Sequence, residues 1–292
     1  MHPWLAPIAA SAALLGLYDI CRKHAVHANA VAEVLFISSA SGAAAYAVAL
    51  ALSGRLAAAA TCSAGVLGLV AAKALLVGAS WACVYRAMCT MPISLAAPIR
   101  ATSPLWTVFG AMLLFGELPG AVRASGMALV FAGYFRFSAL GGREGFSMRH
   151  RDMHLLVLGT LLGSASALYD KYLLNVVRIP PQTVQLFFSL FLVAIYAAAW
   201  AALRGRNGGE GRAFRWRWSI PATGILLIAS DFLYFHALSL PEVHISVLSL
   251  IRRCSCLMPF AAGAWLFGDV NLRPKTLALL AILAGVAVIA LS

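Results

Sequence analysis

The sequence contains the tripeptide Leu17-Tyr18-Asp19 and, 151 positions later, Leu168-Tyr169-Asp170. Two further stretches recur 152 positions apart: Ile99-Arg100 as Ile251-Arg252, and Leu114-Phe115-Gly116-Glu117 as Leu266-Phe267-Gly268-Asp269. Both copies lie in strongly apolar sequence. We infer that one half of the chain is used twice, and this duplication decides the fold.

The composition indicates a membrane protein. Hydrophobic residues make up 62% of the 292 residues, charged residues make up 11%, and the mean hydropathy is +0.87. A water-soluble domain of this composition would have a largely apolar surface. An α-helix needs about 20 apolar residues to cross a bilayer. Ten such segments are predicted: 4–24, 30–53, 66–88, 94–115, 120–139, 154–176, 183–203, 219–239, 244–267 and 273–291.

The predicted fold is all-α and integral to the membrane, with ten transmembrane helices in two inverted five-helix repeats. Because each copy has an odd number of segments, the copies cross the membrane in opposite directions. The first repeat covers 1–140, a basic connecting loop covers 141–153, and the second, inverted repeat covers 154–292. Such repeats are common in secondary transporters, in which the halves rock against each other and give alternating access.

The net charge of +12 comes from basic residues that lie mainly on one side of the predicted membrane. Of the 22 Lys and Arg residues, only Arg55, Arg123 and Arg178 lie in loops after even-numbered segments, whereas the loops after odd-numbered segments are rich in them. The positive-inside rule then places the odd loops in the cytoplasm and both termini outside. The alternating rings and guanidinium groups of 214–218 are typical of a lipid headgroup boundary. Nucleic acid is therefore not an expected partner.

No metal site, disulfide, cofactor or enzymatic activity is predicted. The six cysteines are scattered through the apolar segments, and Cys254-Ser255-Cys256 lacks the spacing of a redox or zinc motif. The chain has neither a Walker A motif nor a Ser-His pairing at a common depth.

Charged residues inside the apolar segments are the candidate functional residues. Each costs about 2.5–3.5 kcal/mol at the bilayer centre if it faces lipid, so each is expected to face a cavity or a partner. They are Lys73, Arg86, Arg100, Lys171, Arg252, Arg253, Asp19, Asp170 and Asp231.

Depth in the membrane sorts these residues into two gates. At 1.5 Å per residue, Asp19 and Arg100 lie about 7 Å to the cytoplasmic side of the centre, and Asp170 and Arg252 lie at a matching depth on the outer side. Static ion pairs, or residues that merely share water, explain the same depths. An Asp19–Lys23 pair within one helix competes with Asp19–Arg100. The residues assigned to gating or coupling are Asp19, Asp170, Lys23 and Lys171.

Charges that break the repeat are assigned to the substrate. Asp231 aligns with Trp81, and Arg253 aligns with Ala101. A guanidinium group binds carboxylate or phosphate, so Arg253 is predicted to hold an anionic group, and Asp231 a cationic group or a coupling proton. Neutralisation of Arg253 by Asp231 is the alternative. The aromatic side chains Trp81, Tyr85 and Tyr234 could line the cavity, and packing also explains them. The predicted substrate-binding residues are Arg253, Asp231, Arg100, Arg252, Tyr85, Trp81 and Tyr234.

The chain resembles the EamA-like branch of the drug/metabolite transporter superfamily over nearly its whole length. The resemblance lies in Tyr85-Arg86-Ala87-Met88 at the end of the third segment, a fourth segment with a proline that closes on Phe115-Gly116-Glu117, and their counterparts 235–238 and 267–269. It implies a central cavity lined by the first, third, fourth, sixth, eighth and ninth segments. Many relatives keep both termini in the cytoplasm, and the loop charges here depart from that pattern.

The leading hypothesis is a secondary active transporter of a small anionic or zwitterionic metabolite, with proton coupling as one option, in a bacterial inner (plasma) membrane. A flippase for a lipid-linked intermediate and an integral-membrane enzyme are the alternatives. The expected partners are a small-molecule substrate and the lipid bilayer, and a homodimer is left open.

Overall fold

The computed structural model describes residues 3–26, 29, 31–90, 100, 103–141, 151–206, 214–241, 243–256, 258 and 272–291. Within these ranges the regular structure is helical, without strands. The helices are α1 (Leu5–Val26), α2 (Val31–Leu52), α3 (Leu56–Ala60), α4 (Ala64–Thr90), α5 (Ser103–Phe115), α6 (Ala121–Gly141), α7 (Arg151–Lys171), α8 (Pro181–Arg206), α9 (Ser219–Ser239), α10 (Ile245–Arg253) and α11 (Leu272–Leu291). A π turn (Tyr172–Val176) continues α7, and a 3₁₀ turn (Cys254–Cys256) continues α10.

Five of the described helices are long and apolar enough to cross a membrane, as expected for a membrane protein. Their apolar stretches are Leu5–Arg22, Val31–Leu52, Ala64–Val84, Pro181–Ala202 and Ser219–Ser239. Shorter apolar stretches occur in α5, α6 and α11. The predicted segments 94–115 and 244–267 lie partly outside the described residues. The short helix α3 was not predicted, because its five residues carry no period of their own.

Left-handed backbone conformations end some of these helices. Gly116, with φ of 64°, ends α5, and the Glu117 amide donates to the Ala111 carbonyl at 3.3 Å. Glycine adopts this conformation without steric cost, and it is a common helix terminator. Arg178, with φ of 60°, follows the π turn, and Pro181 then begins α8, since proline suits the first turn of a helix.

Helices from the first half of the chain pack mainly on helices from the second half. The first helix of each half packs on the third long helix of the other half, α1 on α9 and α7 on α4. Likewise α5 packs on α7, and α10 packs on α1. The last helices of the two halves, α6 and α11, pack on each other.

Glycines allow two helix pairs, α2 with α9 and α6 with α11, to approach closely. A Cβ on Gly42 of α2 would lie 2.6 Å from the carbonyl oxygen of Gly224 on α9, and one on Gly285 of α11 would lie 2.6 Å from that of Gly126 on α6. Real Cβ atoms do not come so close to backbone. Small residues therefore hold these crossings together by backbone contact, as is common between helices in membranes.

The largest apolar cluster lies at one end of the bundle, where α1 and α10 begin and α7 and α9 end. It includes Trp4, Ile8, Leu173, Leu238 and Leu248, all buried. We call this the apolar end. The opposite end, where α1 ends and α7 begins, is less tightly packed near Asp19 and Arg22, which are partly exposed, and we call it the polar end.

Candidate functional site

A cavity of about 250 Å³ lies between the two halves of the chain. Side chains of α1, α4, α5, α7, α9 and α10 line it, together with Arg100 and with Phe188 of α8. Apart from α8, these helices occupy the first, third, fourth, sixth, eighth and ninth apolar segments. The charged side chains that line it are Asp19, Arg22, Lys73, Arg100, Asp170, Asp231 and Arg252.

The most deeply buried ion pair in the cavity joins Lys73 of α4 to Asp170 of α7. Their side chains are only 3% and 7% exposed, respectively. The Lys73 Nζ atom also lies 4.3 Å from the ring centre of Phe188 and 5.0 Å from that of Phe235. Rings at this distance attract a cation. The packing of α4 against α7 therefore gives Lys73 a carboxylate, and Phe188 of α8 and Phe235 of α9 give it two aromatic faces.

A second ion pair joins Arg252 of α10 to Asp231 of α9. The guanidinium carbon lies 4.2 Å from the ring centre of Tyr234. Its Nε atom is buried and has no hydrogen-bond partner among the described residues. A buried donor without an acceptor costs roughly 1–3 kcal/mol. Arg252 thus lines the cavity and keeps one buried donor without an acceptor.

A third pair, between Asp19 and Arg22, lies on α1 at the polar end. The Arg22 Nη2 atom is 2.8 Å from the Asp19 carboxylate, and the side chains are 20% and 29% exposed, respectively. The guanidinium carbon is also 5.1 Å from the ring centre of Tyr18. Asp19 and Tyr18 are the repeat counterparts of Asp170 and Tyr169, yet Asp19 is paired within its own helix.

The ion pairs differ from the predicted gates. Asp170 was predicted to pair with Arg252, but its partner is Lys73, because α7 packs along α4. Arg252 pairs with Asp231, which is predicted to bind a cationic group or a coupling proton, with neutralisation by Arg253 as the alternative. Asp19 and Arg100 reach the same cavity, but the ion-pair partner of Asp19 is Arg22.

The remaining predicted residues fall into two groups. Trp81 and Tyr234 line the cavity, and Trp81 also stacks on Tyr196 with ring centres 6.0 Å apart. The side chains of Lys23, Tyr85 and Arg253 lie outside the described part of the structure, so their assigned roles stay predictions.

Short hydroxyl contacts hold the cavity walls together. The Ser11 hydroxyl of α1 donates to the Ser230 carbonyl of α9 at 2.7 Å. The Ser80 hydroxyl of α4 donates to the Gly159 carbonyl of α7 at 2.7 Å. Each bond joins a first helix to the third long helix of the other half, and each is buried. These bonds support the same helix pairs that carry the charged residues.

Lys171, predicted to gate or couple, lies in a separate cluster built around Glu117. The Lys171 ammonium pairs with the Glu117 carboxylate and donates to the Val243 carbonyl at 3.1 Å. Glu117 also accepts from the Ile245 amide at 3.0 Å and from the Ser246 hydroxyl at 2.7 Å. The Nδ1 atom of His244 is 3.6 Å away. The carboxylate thus caps the start of α10, where the helix dipole favours negative charge.

The pKa of Glu117 reflects this environment. Burial raises the pKa of the carboxyl group. Hydrogen bonds from Lys171, Ser246 and the Ile245 amide, together with the Lys171 charge, lower the pKa by more than burial raises it. The net pKa of Glu117 lies below its ordinary value of 4.5. Glu117 is therefore ionised at neutral pH and binds α5, α7 and α10 together at the apolar end.

The sequence places Lys73 among the candidate functional residues but gives it no partner, and it assigns no role to Arg22 or Glu117. The Lys73–Asp170 pair was predictable, because the depth calculation that places Asp170 also places Lys73 about 6 Å from the centre on the same side. Glu117 was noted only as part of the repeated stretch. Its role depends on the left-handed Gly116, which turns the chain back toward α10.

Metal binding has no support in the described part of the chain. Its residues contain no group of three or more His, Cys, Asp or Glu that could hold a metal ion. Cys21, Cys62, Cys83 and Cys254 are free.

Comparisons with known proteins show the fold alone. No family model matches the chain, and no curated protein matches it. Among the solved structures that match, one protein crystal structure has a TM-score of 0.77 and covers 99% of this chain and 96% of that chain. The two sequences are 14% identical. The chain therefore shares its whole fold with a crystallised protein of very different sequence.

Proposed function

We propose that this protein is a secondary active transporter that moves a small anionic or zwitterionic metabolite by alternating access. The observation that carries the proposal is the central cavity between the two halves of the chain, which is lined by three acid-base pairs. A charged side chain at membrane depth is energetically costly. Such side chains therefore mark substrate or ion pathways. A cavity of about 250 Å³ suits a small metabolite better than a lipid-linked intermediate, since drug-sized ligands occupy about 300–1,000 Å³.

The proposed architecture is ten membrane spans in two inverted halves, as in the EamA-like drug/metabolite transporters. The reciprocal packing of α1 on α9 and of α7 on α4 supports it, because a twofold axis in the membrane plane would exchange these pairs. In this arrangement the apolar end is closed and the polar end is accessible. Rocking of the halves would reverse the two ends.

Arg252 is the proposed site for the anionic group of the substrate. Its Nε atom has no acceptor within the described residues, and its Nη2 atom pairs with Asp231. A carboxylate can bind two donors of a guanidinium group at once, which an ammonium group cannot match. Asp231 is then available to the cationic group of a zwitterion. Arg253 stays a predicted contributor from the same helix.

The test is ligand binding by the purified protein, followed by transport in proteoliposomes. A thermal-shift screen against carboxylates, phosphates, amino acids and nucleotide sugars should identify a stabilising ligand, because binding to the folded state alone raises its apparent stability. Arg252→Lys should weaken binding about tenfold, equivalent to about 1.4 kcal/mol. The matched control is Arg22→Lys, which changes the same side chain at the polar end and should bind normally. Equal losses at both positions would contradict the assignment.

The proposed orientation places the polar end in the cytoplasm of a bacterial cell. His24 and Arg217 are in contact at this end, so Trp218, which is well exposed, should be cytoplasmic. Leu118, also exposed, should face outward beside Glu117. In a cysteine-free background and intact cells, a membrane-impermeant maleimide should modify Leu118→Cys and spare Trp218→Cys. The reverse labelling pattern would invert the topology.

A further inference from the structure

A small side pocket of about 30 Å³ adjoins the central cavity and lies between α2, α8 and α9. It has room for about two to three water-sized groups, since one water needs roughly 10–15 Å³ of such space. The side pocket and the cavity share six lining residues, which are Tyr18, Arg22, Trp81, Phe188, Leu227 and Asp231. The two spaces therefore meet at these residues.

The walls of the side pocket are mainly apolar. Leu35 and Ala43 of α2 and Leu192 of α8 line it, and all three are buried. Three residues with hydroxyl groups also line it, but each hydroxyl donates to a carbonyl of its own helix: Ser38 to Leu35, Ser189 to Leu186 and Thr223 to Ser219. Because these donors are already used, the pocket offers a ligand mostly apolar contact.

Charged side chains reach the side pocket where it meets the cavity. Among the described residues, those that line the pocket are Arg22 and Asp231, and both also line the cavity. Asp231 also pairs with Arg252. A ligand whose carboxylate binds Arg252 is therefore separated from the side pocket by no more than the Asp231 side chain.

We propose that the side pocket binds a short apolar substituent of the substrate and so determines the substrate class. The substrate then has a carboxylate, which binds Arg252, and beside it a branched chain of about three carbons, which is as much as the pocket can hold. An amino acid with such a side chain and the corresponding 2-oxo acid share this chemistry. In the amino acid, the ammonium group pairs with Asp231. This inference rests on the proposed transport function and specifies its substrate.

The test compares ligands with and without the apolar substituent. Titration calorimetry of the full-length protein in detergent uses two pairs of probes, glycine with valine, and glyoxylate with 3-methyl-2-oxobutanoate. Wild-type protein should bind the branched member of a pair at least about tenfold more tightly, because burial of each carbon strengthens binding about fourfold. Tighter binding of the amino acids identifies a zwitterionic substrate, and tighter binding of the 2-oxo acids identifies an anionic one.

Two variants should change the size of the side pocket in opposite directions. Ala43→Leu fills the pocket and should abolish the preference for valine over glycine. Leu192→Ala enlarges it and should shift the preference from valine toward leucine. The matched control is Ala44→Leu, at the next residue of α2, which is exposed and should keep the wild-type preference. Because the readout is a ratio of affinities, a general loss of binding does not imitate these results.

The wild-type comparison needs no variant to fold. Equal affinities within both pairs of probes would overturn the inference and leave the transport function standing. A valine preference that persists in Ala43→Leu would also overturn it, and would assign the side pocket to another occupant such as a lipid acyl chain. If none of the probes binds, the inference fails, and the wider ligand screen and the proteoliposome assay decide the proposed function separately.

Discussion

Asp19 and Asp170 end the same tripeptide, Leu-Tyr-Asp, but they lie in different environments. Asp19 is 29% exposed and pairs with Arg22 three residues along its own helix. Asp170 is buried and pairs across helices with Lys73. The difference shows that a repeated sequence motif fixes the position of a carboxylate, whereas its neighbours decide whether the carboxylate joins two helices.

The largest effect is expected at the buried pair. Lys73→Ala leaves Asp170 in the bundle without its cation, and breaking a buried pair in this way costs about 3–5 kcal/mol. Thermal unfolding in detergent should show a large drop in Tm. The double variant Lys73→Met with Asp170→Leu should recover most of the stability, since an apolar replacement removes both charges. It should not recover transport. Full stability of Lys73→Ala would contradict the described pair.

A smaller effect is expected at Glu117, which binds three helices at the apolar end. Glu117→Gln keeps the shape but loses the charge that holds Lys171 and the start of α10, so we expect a loss of about 2–3 kcal/mol. The matched control is Ser246→Ala, which removes one donor to Glu117 and should cost about 1 kcal/mol. Chemical unfolding of the purified variants measures both.

Glu117 also gives the protein a pH dependence of known sign. Because its folded-state pKa lies below the ordinary value of 4.5, its carboxylate stabilises the fold fully above that pH. The stability is lost as the pH falls through the folded pKa. Wild-type Tm should therefore fall more steeply than that of Glu117→Gln as the pH drops below 4.5. Parallel curves for the two proteins would contradict the lowered pKa.

The smallest effect is expected at the partly exposed Asp19–Arg22 pair. Arg22→Ala removes a pair within one helix that water screens, and such pairs contribute about 0–1 kcal/mol. Its Tm should stay within a few degrees of wild type. A loss as large as that of Lys73→Ala would show that the two ends of the cavity are equally closed, and the contrast between Asp19 and Asp170 would disappear.

The sequence predicts the helical fold more readily than it predicts the ion-pair partners of the charged residues. Apolar length predicts membrane-capable helices directly, because hydrocarbon thickness sets the required number of residues. The rise per residue gives the depth of Asp170 but not the direction in which its side chain points. That direction depends on the packing of α7 against α4, which is why Arg252 was chosen in place of Lys73. Likewise, Glu117 follows a glycine turn and accepts a hydrogen bond from the Ile245 amide, 128 positions later in the sequence.

The π turn after α7 bears on how the two halves of the sequence diverged. A π turn closes a ring one residue larger than an α-helical turn, so it accommodates a single inserted residue without ending the helix. The spacing between copies is 151 positions at Asp19 and Asp170 and 152 at Arg100 and Arg252. The turn at Tyr172–Val176 lies directly after Asp170, within the interval over which the spacing changes from 151 to 152 positions. In the proposed duplication, an insertion there would turn every later residue of that helix by about 100° relative to its counterpart in the first half. It would break the symmetry of the two halves directly beside the buried carboxylate of Asp170.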